Sequence, residues 1–117
     1  MAEHIGPDEQ SLDAVCDLLA NQRRQYVLAC LIDHTQAIAL TNLAENVAVR
    51  ENERPRTEIP KETVRTISTS LYHAHIPKLV DAGVVEYDQD RDLVRISETT
   101  HLVERVLSLA ATDRGEE

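Results

Sequence analysis

The stretch that decides the fold is ISTSLYHAHIPKLVDAGVVEYD at residues 67–88. Apolar residues recur there and just before it at spacings of three and four, which is typical of one buried helical stripe. Gly83 is a natural C-terminal stop, and Pro77 predicts a kink or local break. The sequence therefore predicts a helix from about Lys61 to Ala82, followed by a strand. The predicted stripe comprises Val64, Ile67, Leu71, Ala74 or His75, and Leu79, with Ile76 as a further anchor.

Working outward from this helix, turn and capping signals divide the rest of the chain into short elements. Before this helix we expect a first helix capped by Ser11 and a second helix from about Gln22 to Asp33. An edge strand at residues 37–40 should follow, and then a third helix that is capped by Thr41 and ends within residues 50–54. A loop between Pro55 and Pro60 leads into the 61–82 helix. After it we expect strands at residues 84–87 and 93–96, a polar turn at 88–92, and a helix over 98–111 capped by Ser97.

Three helices followed by a two-stranded hairpin is the order of a winged helix. The predicted fold class is thus α+β, mostly α: a winged helix-turn-helix with additional N- and C-terminal helices. We expect one domain at residues 11–111, with residues 1–10 as a flexible arm and residues 112–117 as a frayed tail.

Composition narrows the class of protein. The 117 residues fit a single domain, and the sequence contains no long apolar run and no secretory leader, so a cytoplasmic protein is expected. Cys16 and Cys30 lie among apolar residues and are interpreted as small buried hydrophobes, a disulfide or redox switch being the alternative. The chain has 21 acidic and 12 basic residues, only two of which are lysine, for a net charge of −9. Such a lysine-poor, acidic surface favours solubility in concentrated salt.

Two blocks carry a family resemblance: LDAVCDLLANQRRQYVL at residues 12–28 and HAHIPKLVDAGVV at residues 73–85. They resemble a group of small haloarchaeal winged-helix proteins and, more distantly, regulators similar to the arsenical-resistance repressors. The resemblance covers about residues 11–97. It implies a winged helix-turn-helix and an archaeal, halophilic protein that regulates transcription on DNA.

The basic stretch, residues 54–78, stands out in this acidic chain. It holds five basic and two acidic residues, a net of +3, which leaves −12 for the rest. Arginine, lysine and hydroxyl side chains suit phosphate oxygens and base edges in the major groove of double-stranded DNA. An ordinary solvated helix face is the alternative. The predicted DNA-binding residues are Arg54, Arg56, Lys61, Arg65, Thr66, Thr69, Ser70 and His73, with Arg91 from the wing.

Other features leave alternatives open. The wing tip, residues 88–92, has three acids and one arginine, which favours a second hypothesis: a protein-interaction or dimerisation module that does not bind DNA. For Arg23 and Arg24 two interpretations stay open: they contact phosphate in a dimer, or they pair with acids such as Asp13 or Asp33 and make capping contacts. Tyr72 stacks, contacts the sugar-phosphate backbone or packs at an interface.

The last helix has an apolar stripe that is wide for so small a core. It predicts a homodimer through the first and last helices, the alternative being packing within one chain. His73 and His75 point about 200° apart on a helix, a poor arrangement for one metal ion. Because no nucleophile or phosphate-loop motif occurs, we expect neither an enzyme nor a cofactor.

Overall fold

Six helices and three short strands make up the part of the chain that the structure, a computed structural model, describes: residues 12–34, 36–97 and 101–113. The protein is α+β and mostly helical. The helices are α1 (Leu12–Leu18), α2 (Gln22–Asp33), α3 (Leu40–Asn52), α4 (Lys61–Ser70), α5 (Ile76–Asp81) and α6 (His101–Asp113), with a 3₁₀ turn at Arg56–Glu58 and a π-helical turn at Leu71–His75. The strands are β1 (Ile38–Ala39), β2 (Val85–Asp88) and β3 (Leu93–Ile96).

The strands form one antiparallel sheet in the order β1-β3-β2. β2 and β3 are a hairpin in which Tyr87 lies opposite Val94, and the other side of Val94 faces Ile38 of β1. The predicted edge strand and hairpin are therefore confirmed to within one or two residues. Since β3 pairs on both sides, the loop before α3 is held at the same sheet as the turn after α5.

A single apolar cluster joins α1, α2, α3, α4, α5, the sheet and α6. Its largest fully buried side chains include Leu28, Leu31, Leu43, Leu71 and Leu79. Each such side chain contributes roughly 1.5–3 kcal/mol through removal from water. α3 is the main packing partner of α4, so the position of α4 is fixed by the helix that precedes it.

The break predicted near Pro77 is a π-helical turn immediately before it. The backbone N–H of Ile76 donates to the carbonyl of Leu71, five residues back. Proline has no N–H and its ring crowds the carbonyl four residues earlier, so a wider turn relieves the clash. The extra residue rotates the buried stripe: Leu71 and Ile76 are buried, His75 is half-buried, and Ala74, one of the two predicted alternatives, is exposed.

The predicted stop at Gly83 is confirmed. Gly83 has a φ of 76°, in the left-handed region that favours glycine. Its N–H donates to the carbonyl of Val80 at 2.9 Å, and the N–H of Val84 donates to that of Leu79 at 3.0 Å. This pair of hydrogen bonds satisfies the last carbonyls of α5 and turns the chain directly into β2.

Two local predictions were wrong. Thr41 does not cap α3, because the helix already begins at Leu40, whose N–H donates to the carbonyl of Asp92 at 3.2 Å. β1 thus runs straight into α3, and the sheet takes over part of the cap's role. Cys16 is exposed rather than buried, whereas Cys30 is buried as predicted; both are free thiols.

The last helix packs against α1 and α2 of the same chain, with Val103 fully buried. It extends to Asp113, two residues past the predicted end. The predicted arm at residues 1–10, the Ser11 cap, the helix start at residues 98–100 and the tail from residue 114 lie outside the described residues. Within the described ranges, no helix is both long and apolar enough to span a bilayer.

Candidate nucleic-acid interface

The first half of the 61–81 helical stretch presents one polar face to solvent. Lys61, Arg65 and Thr69 lie four residues apart and so share one side of α4. These three, Thr66 and His73 are exposed, and together they are called the α4 face. Ser70, also predicted to bind DNA, is only half exposed. On the opposite side Ile67 and Leu71 are buried in the core, so the α4 face is held in a fixed orientation.

Beyond Glu62, which is exposed in the first turn of α4, the α4 face carries none of the negative charge that dominates the rest of the chain. No acidic residue occurs between Glu62 and Asp81. Lys61 and Arg65 form no ion pair with any residue in the described ranges. Their charges are therefore available to an anion from outside the chain.

Two other predicted DNA-binding arginines are differently placed. Arg54 Nη1 lies 3.4 Å from Glu58 Oε1, and Arg56 Nη1 lies 3.5 Å from Glu45 Oε1. Arg56 also donates to Asn46 Oδ1 at 3.2 Å. Both arginines are exposed, but each lies beside a carboxylate, as does Lys78 beside Asp17. Lys61 and Arg65 are therefore the basic residues of the stretch that have no carboxylate partner in the described ranges.

A groove of about 600 Å³, called the α3–α4 groove, is lined by residues of α3, of the 56–59 turn and of α4. Of the predicted site residues it brings together Arg56, Lys61, Arg65 and Thr69. Sequence reasoning missed the residues that line the rest of it: Thr41, Glu45, Thr57, Ile59, Val64 and Ser68. Thr41 and Glu45 lie on the preceding helix, and no local pattern signals that they meet α4.

The β2–β3 hairpin is hydrogen-bonded to the helix, and its two arginines are paired with its own carboxylates. Arg91, predicted to reach DNA, lies in the turn with its Nε 3.9 Å from Asp88 Oδ2, and Arg95 pairs with Glu86 at 2.8 Å across the hairpin. Gln89 Nε2 donates to the hydroxyl of Tyr72 at 3.0 Å. Tyr72 therefore lies at the boundary between the helix and the β2–β3 hairpin, with its ring still partly exposed.

The edge-to-face contact of Tyr72 with Tyr87, at 6.2 Å between ring centroids, extends this boundary. The Tyr87 hydroxyl donates to Asp92 Oδ1, and that hydrogen bond raises the pKa of Tyr87 to about 12. Tyr87 therefore stays protonated further into the alkaline range, and its hydroxyl remains a donor within the β2–β3 hairpin. The turn between the strands is held from both ends.

Arg23 and Arg24 bind groups of their own chain, but neither partners Asp13 or Asp33. Arg23 Nη2 donates to Glu51 Oε1 at 2.8 Å, and this hydrogen bond raises the pKa of Arg23. Arg24 donates to the carbonyls of Leu18 at 2.7 Å and Asp17 at 3.2 Å. They join α2 to α3 and to the end of α1, which accounts for both side chains without a phosphate.

The two histidines of the π-helical turn face different surroundings. His73 is exposed, whereas His75 is half-buried with its Nδ1 3.4 Å from Nη1 of Arg24. In the part of the chain that the structure describes, no three His, Cys, Asp or Glu side chains come together in a metal-binding group.

Comparison with known proteins places the chain in a sequence family. No curated protein and no solved structure matches it. Residues 16–95, more than half of the chain, match a family described as Domain of unknown function (DUF7344). The matched region runs from within α1 to the third residue of β3, so it includes α4, the α3–α4 groove and most of the hairpin. The chain therefore belongs to the DUF7344 family of domains of unknown function.

Proposed function

We propose that this protein is a winged helix-turn-helix regulator of transcription that binds double-stranded DNA as a homodimer. The element order supports the proposal: helix α2, strand β1, helices α3 and α4–α5, then the β2–β3 hairpin, with the sheet ordered β1-β3-β2. In this arrangement α3 and α4 form the helix-turn-helix and the hairpin is the wing. The helix at about residues 61–82 then enters the major groove.

The observation that carries the proposal is the α4 face. In a chain of net charge −9 it is exposed, free of acids after Glu62, and bears two cations without ion-pair partners among the described residues. Lys61 and Arg65 supply the electrostatic attraction to phosphates, on which DNA affinity chiefly depends. Thr66, Thr69 and His73 supply hydrogen-bonding groups for base edges and sugar-phosphate oxygens.

The main proposed DNA contacts involve fewer residues than the sequence alone predicts. Arg54, Arg56 and Arg91 each have a carboxylate within 4 Å, so binding through them requires exchanging one anion for another. They contribute less to affinity than Lys61 and Arg65. The second half of the helix, α5, begins at Ile76 and anchors the fold through the buried Ile76 and Leu79.

A DNA selection followed by a titration tests the proposal. Duplexes enriched from a random pool on the immobilised protein are labelled, and their binding is followed by fluorescence anisotropy. We expect the Lys61→Ala/Arg65→Ala variant to bind at least about tenfold more weakly, because each lost phosphate contact lowers the affinity at moderate salt. Lys78→Ala is the matched control, since Lys78 lies in α5 and pairs with Asp17 at 3.4 Å.

Circular dichroism confirms that each variant is folded. Absence of any enriched duplex, or equal loss of affinity in Lys78→Ala and in the double variant, would refute the proposed role of the α4 face.

The acidic residues of the β2–β3 hairpin, the proposed wing, support a second candidate function. Glu86, Asp88, Asp90 and Asp92 lie on or beside the hairpin turn, and its two arginines are paired within the hairpin. Such a wing repels phosphate and suits a protein partner. The second candidate is therefore a winged-helix interaction module, and a stoichiometric protein that co-purifies with the chain in the absence of DNA would favour it.

A further inference from the structure

We propose that the α3–α4 groove is a binding site for a small organic anion with an apolar body. The proposed ligand places its charged group beside Lys61 and Arg65 and its apolar part on Ile59 and Val64. The binding itself stands apart from the proposed function. A further expectation, that the ligand competes with DNA, rests on the proposed function, because both would use Lys61 and Arg65.

The groove has the size and the walls of a ligand site. Its volume of about 600 Å³ lies within the range of roughly 300–1,000 Å³ that small-molecule pockets occupy. One wall is α3, the other is α4, and the 56–59 turn closes one end. α4 is anchored by the buried Ile67 and Leu71, so this wall of the groove exists before a ligand arrives.

The groove has an apolar surface. Ile59 and Val64 both line it, and both are half-buried side chains packed against the hydrophobic core. Their remaining exposed surface faces a concave space rather than open solvent. Covering it would remove apolar area from water, a gain that a bare inorganic anion cannot provide.

The charge of the groove is opposite to that of the protein. Its lining contains Arg56, Lys61 and Arg65 against a single acid, Glu45. Glu45 lies 3.5 Å from Arg56, which leaves Lys61 and Arg65 without a carboxylate partner among the described residues. Two cations beside apolar surface, in a chain of net charge −9, favour a ligand that is both anionic and apolar.

A second cleft of the protein lacks an unpaired cation and so serves as a comparison. The cleft of about 440 Å³ beside α2 is lined by Arg23, Glu51 and His75. Its arginine already donates to Glu51 at 2.8 Å and at a second, shorter contact. Arg23, the cation of that cleft, is already paired with Glu51. Lys61 and Arg65 in the α3–α4 groove have no carboxylate partner among the described residues and can bind an external anion.

Three matched probes separate the parts of the proposal: naphthalenesulfonate as the apolar anion, naphthol as its neutral analogue below the pKa of naphthol, and inorganic sulfate as the bare anion. Each is titrated into the DNA-free protein and followed by amide NMR shifts. We expect saturable naphthalenesulfonate binding with the largest shifts at residues 56–69. Naphthol and sulfate should each bind at least about tenfold more weakly, since each lacks one of the two contributions.

Equal affinity for sulfate, equal affinity for naphthol, or shifts centred elsewhere would each overturn the proposal. Lys61→Met/Arg65→Met keeps the side-chain stems and should weaken naphthalenesulfonate binding about tenfold. Lys78→Met, outside the groove, should leave it unchanged. If Lys78→Met weakens binding as much as the double variant does, the site is not this groove.

A final arm adds selected DNA. If naphthalenesulfonate displaces DNA, the competition is supported. Probe binding without any DNA binding would uphold the groove and refute the proposed function. DNA binding without probe binding would refute the groove alone.

Discussion

His75 lies where the π-helical turn meets α2, with its Nδ1 3.4 Å from Nη1 of Arg24. Burial lowers the pKa of His75, and the nearby positive charges of Arg24 and Arg23 lower it further, while Glu51 opposes them. The folded protein thus prefers the neutral imidazole, which accepts a hydrogen bond from the guanidinium. The unfolded chain takes up a proton at the ordinary pKa of 6.5.

This difference makes the stability of the protein dependent on pH. The contribution of neutral His75 is fully present above the unfolded pKa and is lost as the pH falls through the lower, folded pKa. We expect the free energy of unfolding to fall as the pH drops below about 6.5, the pKa in the unfolded chain, and to keep falling until the pH passes the lower pKa of folded His75. Urea unfolding at a series of pH values measures it, and His75→Gln should flatten part of this slope.

His73→Gln is the matched control, because His73 is exposed in the same π-helical turn. It should retain the slope of the unchanged protein. If both variants give the same pH dependence as the unchanged protein, the contact between His75 and Arg24 does not discriminate between protonation states.

At the scale of the element, the π-helical turn accommodates Pro77 in the helix and keeps the side chains of Leu71 and Ile76 buried. Leu71 and Ile76 are five residues apart and both buried, a spacing that an unbroken α-helix does not place on one face. The turn adds one residue, and the exposed Ala74 is the residue that the core does not need. Removing both causes of the turn should restore a continuous α-helix.

We therefore expect deletion of Ala74 combined with Pro77→Ala to leave the protein folded with nearly unchanged thermal stability. After the deletion Leu71 and Ile76 are four residues apart and still face the core. Thermal unfolding by circular dichroism measures this. Deletion of Thr66 is the control: it rotates Lys61–Arg65 by about 100° against Ile67 and Leu71, and should lower the unfolding temperature sharply.

The double change would contradict this account if it destabilised the protein as much as the Thr66 deletion does. In that case the wide turn would be required by a contact other than those of Leu71 and Ile76.

These elements also show how far sequence reasoning reaches. Helix α2, the hairpin and the stop at Gly83 follow from patterns within a few residues, and all three were predicted. Pro77 signalled a break, but the choice between Ala74 and His75 depends on which residue meets α2, a contact 51 positions away in sequence. Likewise, Thr41 and Glu45 reach the α3–α4 groove only because α3 packs on α4, and the partners of Arg54, Arg56 and Arg91 depend on side-chain geometry that spacing does not fix.

At the scale of the whole molecule, α6 bears on the proposed homodimer. Its Val103 is buried within the chain, so part of the apolar stripe is covered by α1 and α2. Leu109 nevertheless stays 66% exposed, and Leu12 of α1 stays 57% exposed. These are the most exposed of the large apolar side chains in the described ranges, and they lie on the two helices that the proposed interface uses.

We expect sedimentation equilibrium to give twice the 13.1 kDa mass of the chain. Leu109→Asp should shift the protein to a monomer, because a buried, unpaired carboxylate opposes association. Val80→Asp is the control, since Val80 is an exposed apolar residue, at 40% exposure, on α5 and not on α1 or α6. A monomeric unchanged protein, or dissociation by Val80→Asp alone, would contradict a dimer through α1 and α6.

The net charge of −9 acts on the folding of the molecule as a whole. Folding brings the carboxylates of α1, α3 and the β2–β3 hairpin within a chain whose radius of gyration is 14.4 Å, so they repel one another more than in the unfolded state. Salt shortens the reach of this repulsion, from about 30 Å at 0.01 M to about 3 Å at 1 M. The ion pairs weakened by the same screening are mostly exposed and contribute little.

The stabilisation gained by screening the repulsion should therefore exceed the stabilisation lost from the ion pairs. We expect the unfolding temperature to rise steadily as the potassium chloride concentration is increased. Calorimetric scans across that range measure the rise, with sucrose at matched osmolality as the control for effects unrelated to charge. Asp90→Asn, which removes a carboxylate of the β2–β3 turn that has no ion pair among the described residues, should raise the unfolding temperature in low salt and leave it nearly unchanged in high salt. A protein equally stable at both extremes would show that its acidic surface places no electrostatic strain on the fold.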